Sequence, residues 1–117
     1  MQWRRNWKQM EKNEKLLRAL GLCAKARRLI CGTPQVCEAL RGRQKPYLVL
    51  EAAGNSENTS KRIADKCTYY GVRLIRLTVD GDALSQAIGK SGRVAAVAIT
   101  DENLCKLLLG TCDEKHS

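Results

Sequence analysis

At 117 residues the chain is long enough for one domain with its own apolar core and short for two. Its formal charge of +9 lies entirely in the first half: residues 1–50 hold 12 Lys/Arg against 3 Asp/Glu, and residues 51–117 hold 9 of each. That one-sidedness favours an anionic partner, nucleic acid above all, over a merely solvating surface. No apolar run approaches the roughly 18 residues of a membrane span, which excludes a spanning helix and predicts a soluble protein.

Six cysteines stand at positions 23, 31, 37, 67, 105 and 112, with no Cys-x-x-Cys pair and a single histidine, His116, in the tail. Without a secretory leader the expectation is reduced thiols in a cytoplasmic protein, no zinc and no cofactor. Cys67 and Cys105 fall at apolar helix positions, where a thiol packs as a small hydrophobe.

In chain order, residues 1–12 are polar and basic, with Trp3 and Trp7 four apart. They read as a basic N-terminal arm, docked through its indoles or loose, ahead of a domain over 13–117. Asn13 is placed as the cap of a helix over 14–30. Leu16, Leu20, Cys23 and Ala24 form its buried stripe, and Lys15, Arg18, Lys25, Arg27 and Arg28 face water. Gly32-Thr33-Pro34-Gln35 then opens a second helix, with Thr33 as N-cap and Pro34 in the first helical position. That helix runs to about Arg41, buries Val36 and Leu40, and ends at Gly42. Free N–H groups and the helix dipole make its tip an anion-receiving corner, although the same residues also suit an ordinary helix–loop–helix connection.

Pro46 leads into an apolar run over 47–53 that reads as an interior strand covered on both faces. Gly54-Asn55-Ser56 is a turn, and Ser56 caps a helix over 57–70 whose inner side is Thr59, Ile63, Cys67 and Tyr70, closed by Gly71. Residues 72–77 form a strand nearer an edge, and Asp80-Gly81 turns. Asp82 is read as the cap of a short helix through Ile88, followed by a basic glycine loop over 89–93. A second interior strand spans 94–99. Thr100 is read as the cap of a last helix carrying Asp101 and Glu102 in its first turn and anchored by Leu104, Leu107 and Leu108. The alternation predicts a sheet covered by helices on both sides.

Catalytic constellations are missing from this pattern. Gly89-Lys90-Ser91 would need a glycine at position 84 for a phosphate-binding P-loop, and Leu84 stands there; the order is also helix–loop–strand rather than strand–loop–helix. The carboxylates are scattered, and no histidine lies inside the domain to serve a nucleophile. The expectation is a protein that is not an enzyme.

The run from Leu20 to Leu29, then Gly32, Lys45 to Leu50, the block from Ser56-Glu57-Asn58-Thr59 to Asp65-Lys66-Cys67-Thr68-Tyr69-Tyr70, Ala87-Ile88-Gly89-Lys90, and Arg93 to Asp101 together resemble one family. It is the bacterial YlxQ branch of the kink-turn-binding ribosomal-protein superfamily, which includes the archaeal large-subunit protein seven-Ae and the eukaryotic protein thirty-e. The resemblance covers about residues 14 to 109. It implies a single-domain three-layer α/β/α sandwich with a four-stranded mixed sheet, and RNA binding without catalysis.

It also implies three contact places. At the start of the second helix, relatives carry Gly-x-Asn-Glu-x-x-Lys to read tandem G·A pairs. Here Gly32 and Thr33 match in kind, while Pro34, Gln35 and Glu38 replace the Asn, Glu and Lys. An acidic pair after the central strand is replaced by Ala53-Gly54, and the loop before the last strand is Gly92-Arg93-Val94-Ala95, whose apolar residues would pack on an unstacked nucleotide. A carboxylate accepts two hydrogen bonds from a guanine edge where Gln35 offers one acceptor and one donor group, and Glu38 repels phosphate.

The candidate RNA site is therefore Gly32, Thr33, Pro34 and Gln35 at the helix tip, Val94 and Ala95 in the loop, and Lys25, Arg27, Arg28, Arg41, Arg43 and Arg93 as phosphate partners. The expected partner is structured RNA, ribosomal RNA and the ribosome among the candidates, bound by a monomer. The competing reading is a protein-interaction module that kept the scaffold and lost the RNA.

Overall fold

The computed structural model describes the backbone over residues 2–112 and the side chains over residues 13–110. The elements are α1 (Gln2–Lys25), β1 (Leu29–Cys31), α2 (Thr33–Arg41), β2 (Leu48–Ala53), α3 (Glu57–Tyr70), β3 (Leu74–Asp80), α4 (Gly81–Ile88), β4 (Ala96–Ile99) and α5 (Glu102–Cys112). The strands form one sheet in the order β1-β4-β2-β3, with β2 and β3 parallel and the other pairs antiparallel. This is the mixed four-stranded sheet expected, with β2 and β4 interior and β3 at an edge.

Side-chain alternation along the two interior strands creates the three layers. Leu48, Leu50 and Ala52 of β2, with Val97 and Ile99 of β4, face α1, α4 and α5 and pack with Leu20, Cys23, Leu84 and Leu108. On the opposite face Val49, Ala96 and Ala98 meet Val36 and Leu40 of α2 and Ile63 and Cys67 of α3. Alanines on that face leave room for the two helices to lie close to the sheet.

The first helix departs from expectation at both ends. It begins at Gln2, so Asn13 lies within it rather than capping it, and the Asn13 Oδ1 accepts a hydrogen bond from the Thr78 hydroxyl at 3.1 Å. It stops at Lys25 because Leu29, Ile30 and Cys31 pair with Ile99, Ala98 and Val97 as a strand. The turn is a Schellman closure: the Arg28 N–H donates to the Cys23 carbonyl at 2.9 Å and the Arg27 N–H to the Ala24 carbonyl at 3.1 Å. Arg27 occupies the left-handed position of that motif at φ 60, where glycine is usual. The side chains of Trp3 and Trp7, Cys112 and His116 lie outside the described residues.

Arg27→Gly should raise stability by about 0.5–1 kcal/mol. Relief of roughly 1–2 kcal/mol of left-handed strain outweighs the added freedom of the unfolded chain. A thermal melt that shows no gain contradicts this.

Other caps also differ. α2 is capped by Gly32, at φ 97 and without a side-chain cap bond, rather than by Thr33; Pro34 sits in the first turn. The Asp80 carboxylate, not Asp82, accepts the Ala83 N–H at 2.9 Å to start α4. Asp101, not Thr100, accepts the Leu104 N–H at 2.9 Å at the start of α5. Ser56 caps α3 and Gly71 closes it, as expected. Leu104 and Leu108 anchor α5, whereas Leu107 is 47% exposed and does not.

The five described cysteines are free. Burial raises the thiol pKa of Cys23, Cys31 and Cys105, and burial, with lesser effects of Cys37 and Glu51, pushes Cys67 up to about 11. These four thiols are protonated at neutral pH, as packing groups rather than nucleophiles.

Candidate nucleic-acid interface

Strand β4 sets up the candidate site, because the residues that lead into it bind three other segments. The Gly32 N–H donates to the Ala96 carbonyl at 2.9 Å, which fixes the start of α2. The Ala52 N–H donates to Ala95 at 2.8 Å, which fixes the end of β2, and the Val94 N–H donates to Gly81 at 3.2 Å, which fixes the start of α4. The tip of α2, the turn over 53–55 and the loop over 92–95 therefore meet at one end of the sheet.

At the tip, the Thr33 and Gln35 N–H groups have no partner among the described residues, while Val36 already bonds the Gly32 carbonyl. Gly32 is required there twice over. Its φ of 97 is glycine territory, and a Cβ would lie 2.6 Å from the Gln35 Oε1, which folds back over it. Pro34 and Gln35 are exposed and Thr33 is partly buried. Glu38, one turn further on, is not at the tip; its carboxylate pairs with Arg41 at 2.5 Å.

Arg93 is tied down by its neighbours. Its guanidinium donates to the Ala53 carbonyl at 3.1 Å and to the Asn55 Oδ1 at 3.4 Å. Gly81 makes the room: a Cβ there would overlap the Arg93 Cγ and lie 2.9 Å from the Val94 carbonyl oxygen. Asn55 is the hub, its Nδ2 donating to the carbonyls of Ala52 and Ala95 at 3.1 Å each and to the Glu51 Oε2 at 3.3 Å. Glu51 is only 2% exposed, although it is a carboxylate, because it lies in a central strand. Its Oε2 also accepts from the Ser60 hydroxyl. The Arg76 Nε lies 3.3 Å from Oε1, an ion pair without hydrogen-bond geometry, so Oε1 has no hydrogen-bond partner among the described residues.

The twelve proposed site residues are not brought together. Gly32, Thr33, Pro34, Gln35, Arg93, Val94 and Ala95 share the end just described. Val94 is only 7% exposed and packs in the core, which leaves Ala95 as the loop's accessible apolar group. Lys25, Arg27, Arg28, Arg41 and Arg43 are exposed at the opposite end, where the Thr100 N–H donates to Arg28 and the Tyr47 N–H to Ile99. There Lys25 and Arg41 stand in the last turns of their helices, favourable positions for cations at the negative end of the dipole. The tip end also carries acids: Glu57 opens α3, and Asp80 and Asp82 open α4.

Sequence reasoning missed Asn55 and Glu51 as parts of this corner. A lone carboxylate inside an apolar strand run was the usable signal for Glu51.

Residues 14–109 match the ribosomal protein L7Ae/L30e/S12e/Gadd45 family. An RNA-binding protein YlxQ of Bacillus subtilis (strain 168) is 37% identical over 94 residues, covering 80% of this chain and 91% of the relative. An RNA-binding protein YlxQ of Enterococcus faecium is 32% identical over 84 residues, covering 72% and 80%. Among solved structures, a protein of unknown function from Bacillus halodurans superposes with a TM-score of 0.77 at 31% identity, covering 86% of this chain and 98% of that one. A 15.5kD RNA binding protein of Giardia lamblia shares the fold, with a TM-score of 0.70 at 19% identity over 86% and 84%. The chain belongs to the L7Ae/L30e/S12e/Gadd45 ribosomal-protein family and to its YlxQ-like branch.

Proposed function

We propose that this protein is a non-catalytic, cytoplasmic RNA-binding protein that acts as a monomer on kinked or looped structured RNA, ribosomal RNA included. The observation that carries the reading is the open tip of α2, two unpartnered N–H groups at the end of the sheet that also holds the anchored Arg93 guanidinium. Such a tip takes a phosphate oxygen without needing a particular base. Ala95 offers a small apolar contact for a base.

The cations at the far end of α2 belong to the same reading. The helix has 9 residues, so its ends are separated by about 13 Å, and one folded RNA reaches both. Backbone and shape would dominate, because Pro34 and Gln35 offer the tip little base-edge chemistry. The altered tip favours the alternative of a protein-interaction module, which predicts no RNA affinity.

The test is a titration of a kinked stem-loop and an unkinked duplex between 50 and 300 mM salt. With about four to six phosphate contacts, log K should fall with log salt at a slope of about −4 to −5. The kinked RNA should bind more tightly. Absence of both binding and salt dependence hands the fold to the interaction-module reading.

A further inference from the structure

The outer side of α3 carries chemistry that the α2 tip does not use. Asn58, Arg62, Asp65 and Tyr69 recur at spacings of four, three and four, so they form one stripe. That stripe points away from Ile63 and Cys67, which are buried against the sheet. Lys61 and Lys66 flank it, and the side chains line an open groove of about 580 Å³. Lys61, Arg62 and Lys66 outnumber the one acid, Asp65, and no ion pair among the described residues neutralises them.

At the end of the stripe Tyr69 is 81% exposed. Its ring stands edge-to-face on Tyr70, with centroids 4.8 Å apart and planes at 90°. Tyr70 is in turn held by the Lys45 ammonium, 4.9 Å from its ring centroid. The Tyr69 ring is therefore set in orientation by its neighbours while remaining largely open to solvent. A pre-set aromatic ring beside unpaired cations is the arrangement that stacks an unpaired base and tracks its phosphates. Protein interfaces are by contrast depleted in lysine.

We propose that the outer face of α3 is a second RNA-contacting surface, which takes an unpaired strand with one base stacked on Tyr69 and phosphates on Lys61, Arg62 and Lys66. The proposal rests on the RNA-binding reading. It concerns a separate place, since Tyr69 lies about 18 Å along the helix from its capped end.

The experiment compares the full chain with Tyr69→Ala and Tyr69→Phe on two probes: a kinked stem-loop, and the same stem-loop with a twelve-nucleotide unstructured uridine extension. The wild type should bind the extended probe more tightly. Tyr69→Ala should lose that gain, about five- to a hundredfold, the range set by removal of one base–aromatic stack, while Tyr69→Phe keeps it. Replacing Lys61, Arg62 and Lys66 by alanine together should make the salt slope on the extended probe shallower by about 2–3. A melting temperature within a degree of the wild type is expected for Tyr69→Ala, given its exposure, and separates loss of contact from loss of fold. If the extension adds nothing, or Tyr69→Ala retains the gain, the α3 surface is refuted and the α2 reading stands. If the wild type binds neither probe, the RNA reading itself falls.

Discussion

Glu51→Ala should lower stability by about 2–4 kcal/mol, the largest loss expected from a single polar side chain in this domain. Its ion pair with Arg76 is the smaller part of that figure. The Arg76 side chain is 66% exposed and makes no hydrogen bond to the carboxylate, so the pair should contribute at most about 1 kcal/mol. The rest comes from inside. Ser60 on α3 loses its carboxylate acceptor, Asn55 loses one of three acceptors, and a buried side chain leaves a hole. In a chain of this size the melting temperature should fall by roughly 8–15 °C.

Glu51→Leu separates stability from positioning. A leucine fills the volume and removes the need to bury charge, so the domain should recover most of its melting temperature. Asn55 is then held by two carbonyls alone, and Arg93 hangs on a looser hub. RNA affinity should stay reduced although the fold is restored. Should Glu51→Ala melt within 2 °C of the wild type, the buried carboxylate is not the tie between strand, helix and loop described above.

Much of this architecture is legible in the residues themselves. The runs at 47–53 and 94–99 are apolar apart from Glu51 because both sheet faces are covered, and the two glycine-closed helices at 57–70 and 82–88 follow from local chemistry. What fails to show is whatever depends on distant partners. β1 is a three-residue strand whose pairing residues lie 66 to 70 positions away, and the helix before it ends on Arg27 where a glycine would have announced the turn. The caps misassigned at Thr33, Asp82 and Thr100 each lie one or two positions from the residue that does the capping, the usual scale of error when several polar residues adjoin.

The site was legible as a set of residue types and not as a place. Composition put the excess cations in the first half, but a chain that runs down α1, up β1 and down α2 deposits Lys25, Arg27, Arg28, Arg41 and Arg43 at the far ends of those two helices, away from the tip. Arg93, from the electrically balanced half, is held at the same end of the sheet as the tip, where Gly81 leaves room for its side chain against the start of α4.

Charge reversal at the two ends of the sheet should show whether one RNA spans them. Arg93→Glu is expected to weaken binding about ten- to a hundredfold near 150 mM salt and to make the salt slope shallower by about 2, one unit for the lost contact and one for the new repulsion. Arg28→Glu should do the same if the RNA reaches the far end. The two positions are separated by more than the roughly 8 Å screening length at that salt, so a reversal at Arg28 is scarcely felt at the tip. The free energies should then add in the double variant, as they do for sites about 10 Å apart with no shared partner. Gln35→Ala should leave the slope unchanged, since an uncharged amide releases no counterion, and should alter the ranking of different RNAs if the amide's donor and acceptor reach a base edge. The opposite pattern is equally readable. If Arg93→Glu binds as the wild type does while Arg28→Glu abolishes binding, the RNA sits only on the far end, and the open N–H groups at Thr33 and Gln35 are simply the hydrated start of a helix.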